Sequence, residues 1–335
     1  MRTIIAATDL SARSAQVLGR AVSLARAMAT GPGGRPQAAP RIILVHVIEP
    51  AGFSPRRALG MKGREGTDGG ALADLESLAA PFRAGTSGGN GVDIAGAQGE
   101  APPGAGASQG TTLEHAIAPS PDQGPNPSSN PGPQIACRVA KGTPEDVLSA
   151  LVAELGADLL ILGLHRERRV LDTLRLSTME RILLGSDCPV LIAHQPPTQA
   201  YATVLGAVDF GPASARALVV AGQIAPGARF HAIHALHQPL RDKFSPGDPD
   251  DTTGMIQAAM LRKAFCETPG LPAALDTPEI IPGGLYEVLM FRLDELRPDL
   301  LAIGTQSNRI EGALGHYARD LMRAPPTDML IARPG

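Results

Sequence analysis

Two aspartates, Asp9 and Asp209, are the first candidates for chemistry in this chain, because each directly follows a short apolar run. If these runs are strands of an open parallel sheet, both aspartates lie at carboxyl ends of strands, where ligands bind around the point of reversed strand order. A carboxylate there can accept hydrogen bonds from a ribose hydroxyl or an adenine amine. The alternative is that each aspartate caps the helix that follows, and the sequence supports both interpretations equally.

Histidines are the next candidates, because His231, His234 and His237 are spaced by three. Along a strand this spacing sends neighbouring side chains to opposite faces, so we do not expect them to share a metal ion. His46 and His234 occupy matching positions in two similar segments. This match favours a structural role for the histidine in both segments.

Signatures of catalysis are missing from the sequence. It has no GxSxG motif between a predicted strand and the helix that follows it, no GxxxxGK[ST] loop and no arrangement of paired carboxylates, so we predict that the protein is not an enzyme. The three cysteines, Cys137, Cys188 and Cys266, are far apart and in no CxxC spacing. We therefore expect neither a disulfide framework nor a zinc site, and a reducing compartment fits the chain.

An internal duplication positions these residues. Residues 142–163 align without a gap on residues 283–304, sharing a first Gly, Val-Leu, Glu-Leu, Asp-Leu-Leu and a final Gly. Further matches in the same order are Ile4–Asp9 with Val204–Asp209, Ser14-Ala15 with Ser214-Ala215, and Val190–Ala193 with Met329–Ala332.

Each copy alternates short apolar runs with segments of helical period, which predicts βαβ units. The expected fold class is α/β, with two tandem, doubly wound, parallel five-stranded sheets of Rossmann-like type. Strands are predicted near 3–8, 41–47, 134–139, 158–163 and 189–194, then 203–208, 229–235, 277–281, 299–304 and 328–332. Helices are predicted near 12–28, 70–83, 144–155 and 173–185, then 212–225, 253–266, 284–296 and 315–323.

The composition sets the remaining bounds. With 335 residues, 43% hydrophobic and 19% charged, the chain is long enough for two domains, predicted at 1–197 and 201–335. A net charge of -3 and 3% aromatic residues argue against nucleic acid as a partner. No apolar stretch has the length of a signal peptide core or a membrane helix, so we expect a cytoplasmic protein without a membrane partner. The Gly/Pro-rich insert at about 85–133 is predicted to be disordered.

These features together resemble the universal stress protein family. The resemblance covers nearly the whole chain outside the inserts. It rests on the first-strand aspartate before a Ser/Ala-rich helix and on four further segments: Leu44–Pro50, Gly142-Thr-Pro-Glu145, Ala157–Gly163 and Cys188–Ala193. The resemblance implies the adenine nucleotide α-hydrolase-like version of the doubly wound fold and a role in the stress response.

In the ATP-binding members of the family, the fourth strand enters a G-x2-G-x9-G-S/T loop that holds the phosphates at a helix N-terminus. Glycine suits such a loop because a Cβ atom would keep the phosphate from the backbone amides. In the second copy Gly304 persists, Ser307 replaces the second glycine, and Gly315 stands third, followed by His316. With Asp209, these residues form the predicted nucleotide site.

The first copy departs further from this pattern. Gly163 and Ser177 are retained, but Arg166 and Leu176 stand where the second and third glycines belong. A branched side chain at position 176 should obstruct the phosphate, so Asp9, Gly163 and Ser177 are the weaker candidates.

The leading hypothesis is a non-catalytic stress-response protein that binds ATP or another adenine nucleotide, with magnesium, in its second copy. Members of this family associate through their fifth strands, which implies a pseudo-dimer in which Val190–Ala193 pairs with Met329–Ala332. A homodimer of the whole chain and an unknown protein partner stay open. The alternatives are an ATP-hydrolysing or adenylyl-transferring enzyme on the same fold, and an interaction module that binds no nucleotide.

Overall fold

The computed structural model describes residues 1–11, 13–30, 37–49, 68–84, 133–164, 178–197, 199–236, 253–305 and 316–334. In the first half of the chain, these residues form β1 (Thr3–Thr8), α1 (Ser14–Ala29), β2 (Arg41–Ile48), α2 (Asp68–Ala84), β3 (Ile135–Lys141), α3 (Pro144–Leu155), β4 (Leu159–Gly163), α4 (Thr178–Gly185) and β5 (Val190–Ala193). In the second half they form β6 (Thr203–Ala207), α5 (Pro212–Ile224), β7 (Arg229–Leu236), α6 (Thr253–Cys266), β8 (Glu279–Pro282), α7 (Leu285–Leu296), β9 (Leu300–Gly304), α8 (His316–Arg323) and β10 (Asp328–Ala332).

The predicted α/β fold class is confirmed, and every predicted strand and helix has a counterpart in this order. The inner strands β1, β4 and β9 are short apolar runs largely buried on both faces, as expected of a parallel sheet covered by helices, whereas the edge strands β3 and β8 are only partly buried. The start predicted for the fourth helix, near 173, and the insert at 85–133, apart from its last residue, lie outside the described residues.

All ten strands join one sheet in the order β3-β2-β1-β4-β5-β10-β9-β6-β7-β8. Each half is a parallel five-stranded sheet with the doubly wound order expected from the sequence. The two predicted sheets are therefore the two halves of one continuous sheet. In each half the strand order reverses beside the first strand, between β1 and β4 and between β6 and β9.

The halves meet at β5 and β10, which pair antiparallel, with Leu191 opposite Leu330. The expected pairing of the fifth strands is thus present within the chain. Leu191 and Leu330 are also equivalent positions of the duplication, so a local twofold axis passes between them. The pairing covers two sheet edges that would otherwise expose unpaired backbone groups.

Two apolar clusters cover the two faces of the sheet, because successive side chains of a strand point to opposite sides. One cluster contains Leu191 and Leu330, and the other contains Ile192 and Met329. Both clusters therefore continue from the first half into the second across the junction of β5 with β10.

A buried ion pair fastens the halves on one face of the sheet. The Arg20 Nε atom on α1 lies 2.8 Å from Oδ2 of Asp328 on β10, and their side chains are 4% and 0% exposed. The Asp328 carboxylate also accepts hydrogen bonds from the backbone N–H groups of His194 and Gln195 and from the Tyr201 hydroxyl, all at 2.7 Å. Burial, and then the Asp328 charge, raise the pKa of Tyr201 well above its usual value. Residues 194–201, which connect the two halves, are thus bound to Asp328 of the second half, and Asp328 is bound in turn to Arg20 of the first half.

No helix in the described part of the chain combines the length and the apolar character needed to cross a membrane.

Candidate functional site

The two candidate aspartates lie at the carboxyl ends of the first strands, before the turns that lead into α1 and α5. Oδ1 of Asp9 accepts a hydrogen bond from the Ser11 N–H at 2.9 Å. Oδ1 of Asp209 accepts one from the Gly211 N–H at 2.9 Å and one from the Ser214 hydroxyl at 2.8 Å. Neither aspartate is the N-cap of its helix, because Arg13 holds that position before α1 and Gly211 before α5, and neither cap has a side-chain hydrogen bond. The two aspartates instead hold the turns between strand and helix. This arrangement does not exclude a ligand, because an ionised carboxylate has acceptor sites for several donors.

The residue after each aspartate adopts a left-handed conformation. The φ angles are 56° at Leu10 and 62° at Phe210, where a side chain other than glycine costs about 1–2 kcal/mol. Backbone strain of this kind concentrates at functional sites. Neither residue can be singled out from the sequence, since neither leucine nor phenylalanine is typical of a left-handed turn. Their recurrence at the same place in the duplication is the signal that links them to Asp9 and Asp209.

Two equivalent histidines brace the same ends of the sheet. Nδ1 of His46 lies 2.9 Å from the Thr8 carbonyl oxygen, and Nδ1 of His234 lies 2.9 Å from that of Val208. A carbonyl only accepts, so Nδ1 donates in both rings. The structural role expected for these histidines is confirmed, because each ties its second strand to the carboxyl end of the first.

Phe210 packs against two aromatic rings of the second half. Its ring centroid lies 4.6 Å from that of His234 and 5.5 Å from that of Phe265. These ring contacts help to hold the strained residue that follows Asp209.

Gly304 brings the end of β9 against the start of α5. A Cβ atom on Gly304 would lie 2.3 Å from the Ser214 backbone nitrogen and 2.5 Å from the Ala213 carbonyl carbon. The structure thus places Gly304 beside the residue that donates to Asp209. It also gives a reason for this glycine that sequence analysis missed, namely the close packing of a strand end on a helix backbone. Gly163 is less confined, because its Cβ would meet only the Val17 side chain, at 2.9 Å.

The serine near the start of the following helix has a different hydrogen-bond partner in each crevice. In the first, the Thr8 hydroxyl donates to Ser14 Oγ at 2.5 Å. In the second, Val208 stands in place of Thr8, and the Ser214 hydroxyl donates to Asp209. The Asp209 carboxylate is accordingly held from the helix side by a side chain as well as by a backbone amide.

The remaining predicted site residues can be placed only in part. Ser177, Ser307 and Gly315 lie outside the described residues, as do the two residues that interrupt the first glycine pattern, Arg166 and Leu176. His316 begins α8, and only its backbone is described. Their contact with a phosphate stays a prediction. Among the described residues, no group of three or more His, Cys, Asp and Glu side chains is arranged to hold a metal ion.

We expect the three cysteine thiols to react with a thiol reagent at different rates. Burial, with a hydrogen bond and the negative charge of Glu76, raises the pKa of Cys137 to about 11, and burial raises the pKa of the Cys188 thiol. Cys266 is exposed. The thiolate is the reactive form, so the folded protein should show one fast thiol, Cys266, and two that react at least about tenfold more slowly. A disulfide reagent at pH 8 measures this, and a fast phase that persists in Cys266→Ser would contradict it.

Comparison with known proteins agrees with this architecture. A model of the universal stress protein family matches residues 1–194. Similar solved structures include a protein described as a universal stress protein from Pseudomonas aeruginosa UCBPP-PA14 (16% identity, TM-score 0.56) and a functionally unknown protein from Pseudomonas aeruginosa PAO1 (15%, 0.58). A third is a universal stress protein from Archaeoglobus fulgidus DSM 4304 (15%, 0.55). Each similarity covers 100% of this chain and 94%, 93% and 97% of the respective structure.

None of the curated proteins matches this chain. At 15–16% identity the structural similarities establish the fold alone, and they extend it into the second half, which the family model does not match. The match over residues 1–194 spans more than half of the sequence, and the chain therefore belongs to the universal stress protein family.

Proposed function

We propose that this chain is a non-catalytic, cytoplasmic stress-response protein that binds an adenine nucleotide in the crevice of its second half. The observation that carries the proposal is that Asp209 and Gly304 lie at the carboxyl ends of neighbouring strands and both lie beside Ser214. Asp209 follows β6 and Gly304 ends β9, and the strand order of the second half reverses between these two strands. Ligands of open α/β sheets bind in the crevice at this point.

The chemistry of the crevice supports a nucleoside. The Asp209 carboxylate is held in place by Gly211 and Ser214, and a carboxylate so positioned can accept hydrogen bonds from an adenine amine or a ribose hydroxyl. The backbone amides at the start of α8 would face the phosphates, since a helix N-terminus favours an anion. Magnesium would enter with the phosphates, as the nucleotide's own counter-ion.

The domain limits 1–197 and 201–335 form part of this proposal, with one crevice in each domain. The first crevice is expected to bind nucleotide more weakly or not at all, because Arg166 and Leu176 replace glycines there.

Isothermal titration of ATP, ADP and AMP with magnesium into the intact protein tests the proposal. We expect binding to the parent protein and its loss in Gly315→Leu, where a branched side chain would occupy the phosphate seat. Asp209→Asn should weaken binding roughly tenfold, because it replaces a charge-assisted acceptor. Asparagine keeps the size of the side chain and one acceptor oxygen for the Gly211 N–H group and the Ser214 hydroxyl, so this variant should fold normally.

Asp9→Asn is the matched control, since it makes the same change in the first crevice and should leave the affinity unchanged. Equal losses in Asp9→Asn and Asp209→Asn would contradict a site confined to the second half. Turnover of ATP would favour the enzyme alternative. Absence of binding to the parent protein would favour the interaction module.

A further inference from the structure

The four-residue segments that join the two halves have no means of choosing their partner. They carry nearly the same apolar sequence, Val190-Leu-Ile-Ala193 in β5 and Met329-Leu-Ile-Ala332 in β10. Leu191 faces Leu330, its own equivalent in the duplication. Pairing of either segment with a second copy of itself would bury almost the same apolar surface. Whatever selects unlike copies must lie outside these segments.

On one face of the sheet, opposite charges occupy equivalent positions beside the axis. Glu180 stands ten residues before Val190, and Arg319 stands ten residues before Met329, so the duplication places them at the same site of α4 and α8. Nε of Arg319 lies 2.9 Å from Oε1 of Glu180, and the two side chains are 30% and 2% exposed. Both contacting atoms are shielded from water.

A pairing of like copies would replace this attraction with a repulsion between like charges. Two first copies would bring Glu180 against a second Glu180, and two second copies would bring Arg319 against a second Arg319. Screening by salt and water is weak at shielded atoms, so repulsion there is much stronger than between surface charges. Like charges at an interface are a common means of excluding wrong partners.

The opposite face carries a second contact that only unlike copies can make. Arg20 and Asp328 form the buried ion pair between α1 and β10. In the duplication, Val220 is the equivalent of Arg20. Pro189, directly before β5, is the equivalent of Asp328, the first residue of β10. Val220 and Pro189 instead line an open depression of about 350 Å³. Like copies would leave Arg20 or Asp328 buried without its partner.

We infer that these two ion pairs determine which surfaces join: the α4 and β5 face of the first copy recognises a face of the second-copy type and rejects its own kind. The inference concerns the choice of partner and does not depend on nucleotide binding. It assigns a selective role, which the apolar segments 190–193 and 329–332 cannot supply, to Glu180, Arg319, Arg20 and Asp328.

Charge reversal in the intact chain tests the inference. Glu180→Arg reproduces the contact of two second copies, and Arg319→Glu reproduces that of two first copies. Each should lower the melting temperature by about 6 to 10 °C, as expected for breaking a buried ion pair in a chain of this size. The double variant Glu180→Arg/Arg319→Glu restores opposite charges and should recover at least half of the loss. Thermal unfolding followed by circular dichroism measures these shifts.

The exposed ion pair of Arg138 with Glu154 provides the control, with side chains 42% and 54% exposed. Arg138→Glu and Glu154→Arg should each shift the melting temperature by no more than roughly 2 °C. Single variants at 180 and 319 that melt like these controls would overturn the inference. So would a reversed pair that is no more stable than its single variants. If the single variants fail to fold, a folded reversed pair supports the inference and an unfolded one overturns it.

Discussion

Replacement of Asp328 by asparagine is expected to lower the free energy of unfolding by about 3–5 kcal/mol, the usual cost of breaking a buried ion pair from one side. The variant keeps the size of the side chain but removes its charge. Arg20, whose side chain is 4% exposed, then remains charged without a carboxylate. An amide nitrogen would also face either the backbone N–H groups of His194 and Gln195 or the Tyr201 hydroxyl, which donate to the carboxylate in the native protein.

Urea denaturation of Asp328→Asn and of Asp299→Asn separates the ion pair from the amide contacts. Asp299 also accepts hydrogen bonds from two backbone amides, those of Ala202 and Thr203, but it is exposed. Its replacement should cost only about 1 kcal/mol, in the range of an ordinary hydrogen bond. A loss at Asp328 no larger than the loss at Asp299 would show that the ion pair does not stabilise the junction.

The substitution Gly304→Ala is expected to have an effect of similar size, about 3 kcal/mol or more, or to prevent folding. Its Cβ would lie 2.3 Å from a backbone nitrogen of α5, so β9 and α5 would have to move apart. Overpacking that displaces backbone is costly because the interior is close-packed on every side. Denaturation without nucleotide measures this effect independently of any ligand.

Gly163→Ala is the matched comparison in the first half. Its Cβ would meet the Val17 side chain, which can shift, so we expect a smaller loss of about 1–2 kcal/mol. Equal losses at the two glycines would mean that the approach of β9 to α5 is not the constraint described above.

Most of the architecture can be predicted from the sequence, because it depends on local patterns that occur twice. Apolar runs mark the strands, and the gapless match of 142–163 with 283–304 fixes how the two halves correspond. Each pattern is continuous in the sequence and occurs twice, and the packing of the folded chain agrees with it. The pairing of Val190–Ala193 with Met329–Ala332, in contrast, is expected only from the resemblance to the universal stress protein family.

The candidate site is less predictable, because it depends on contacts between distant segments. The left-handed φ angles of Leu10 and Phe210 arise where the chain turns from a strand into a helix. Leucine and phenylalanine rarely adopt such angles, so the residue types do not predict them. Gly304 resembles a phosphate-binding glycine, yet its neighbours in space are Ala213 and Ser214, far away in the sequence. No local pattern reports such a distance.

Both apolar clusters run across the junction of β5 and β10, so unfolding of one half would expose apolar side chains of the other half along this junction. Heat should therefore disassemble the native chain as a single cooperative unit, not one half at a time. A molecule that binds only the native chain adds its binding free energy to that whole unit. Occupancy of the second crevice would thus protect β1, β2 and β3 from unfolding, although they lie at the far end of the sheet.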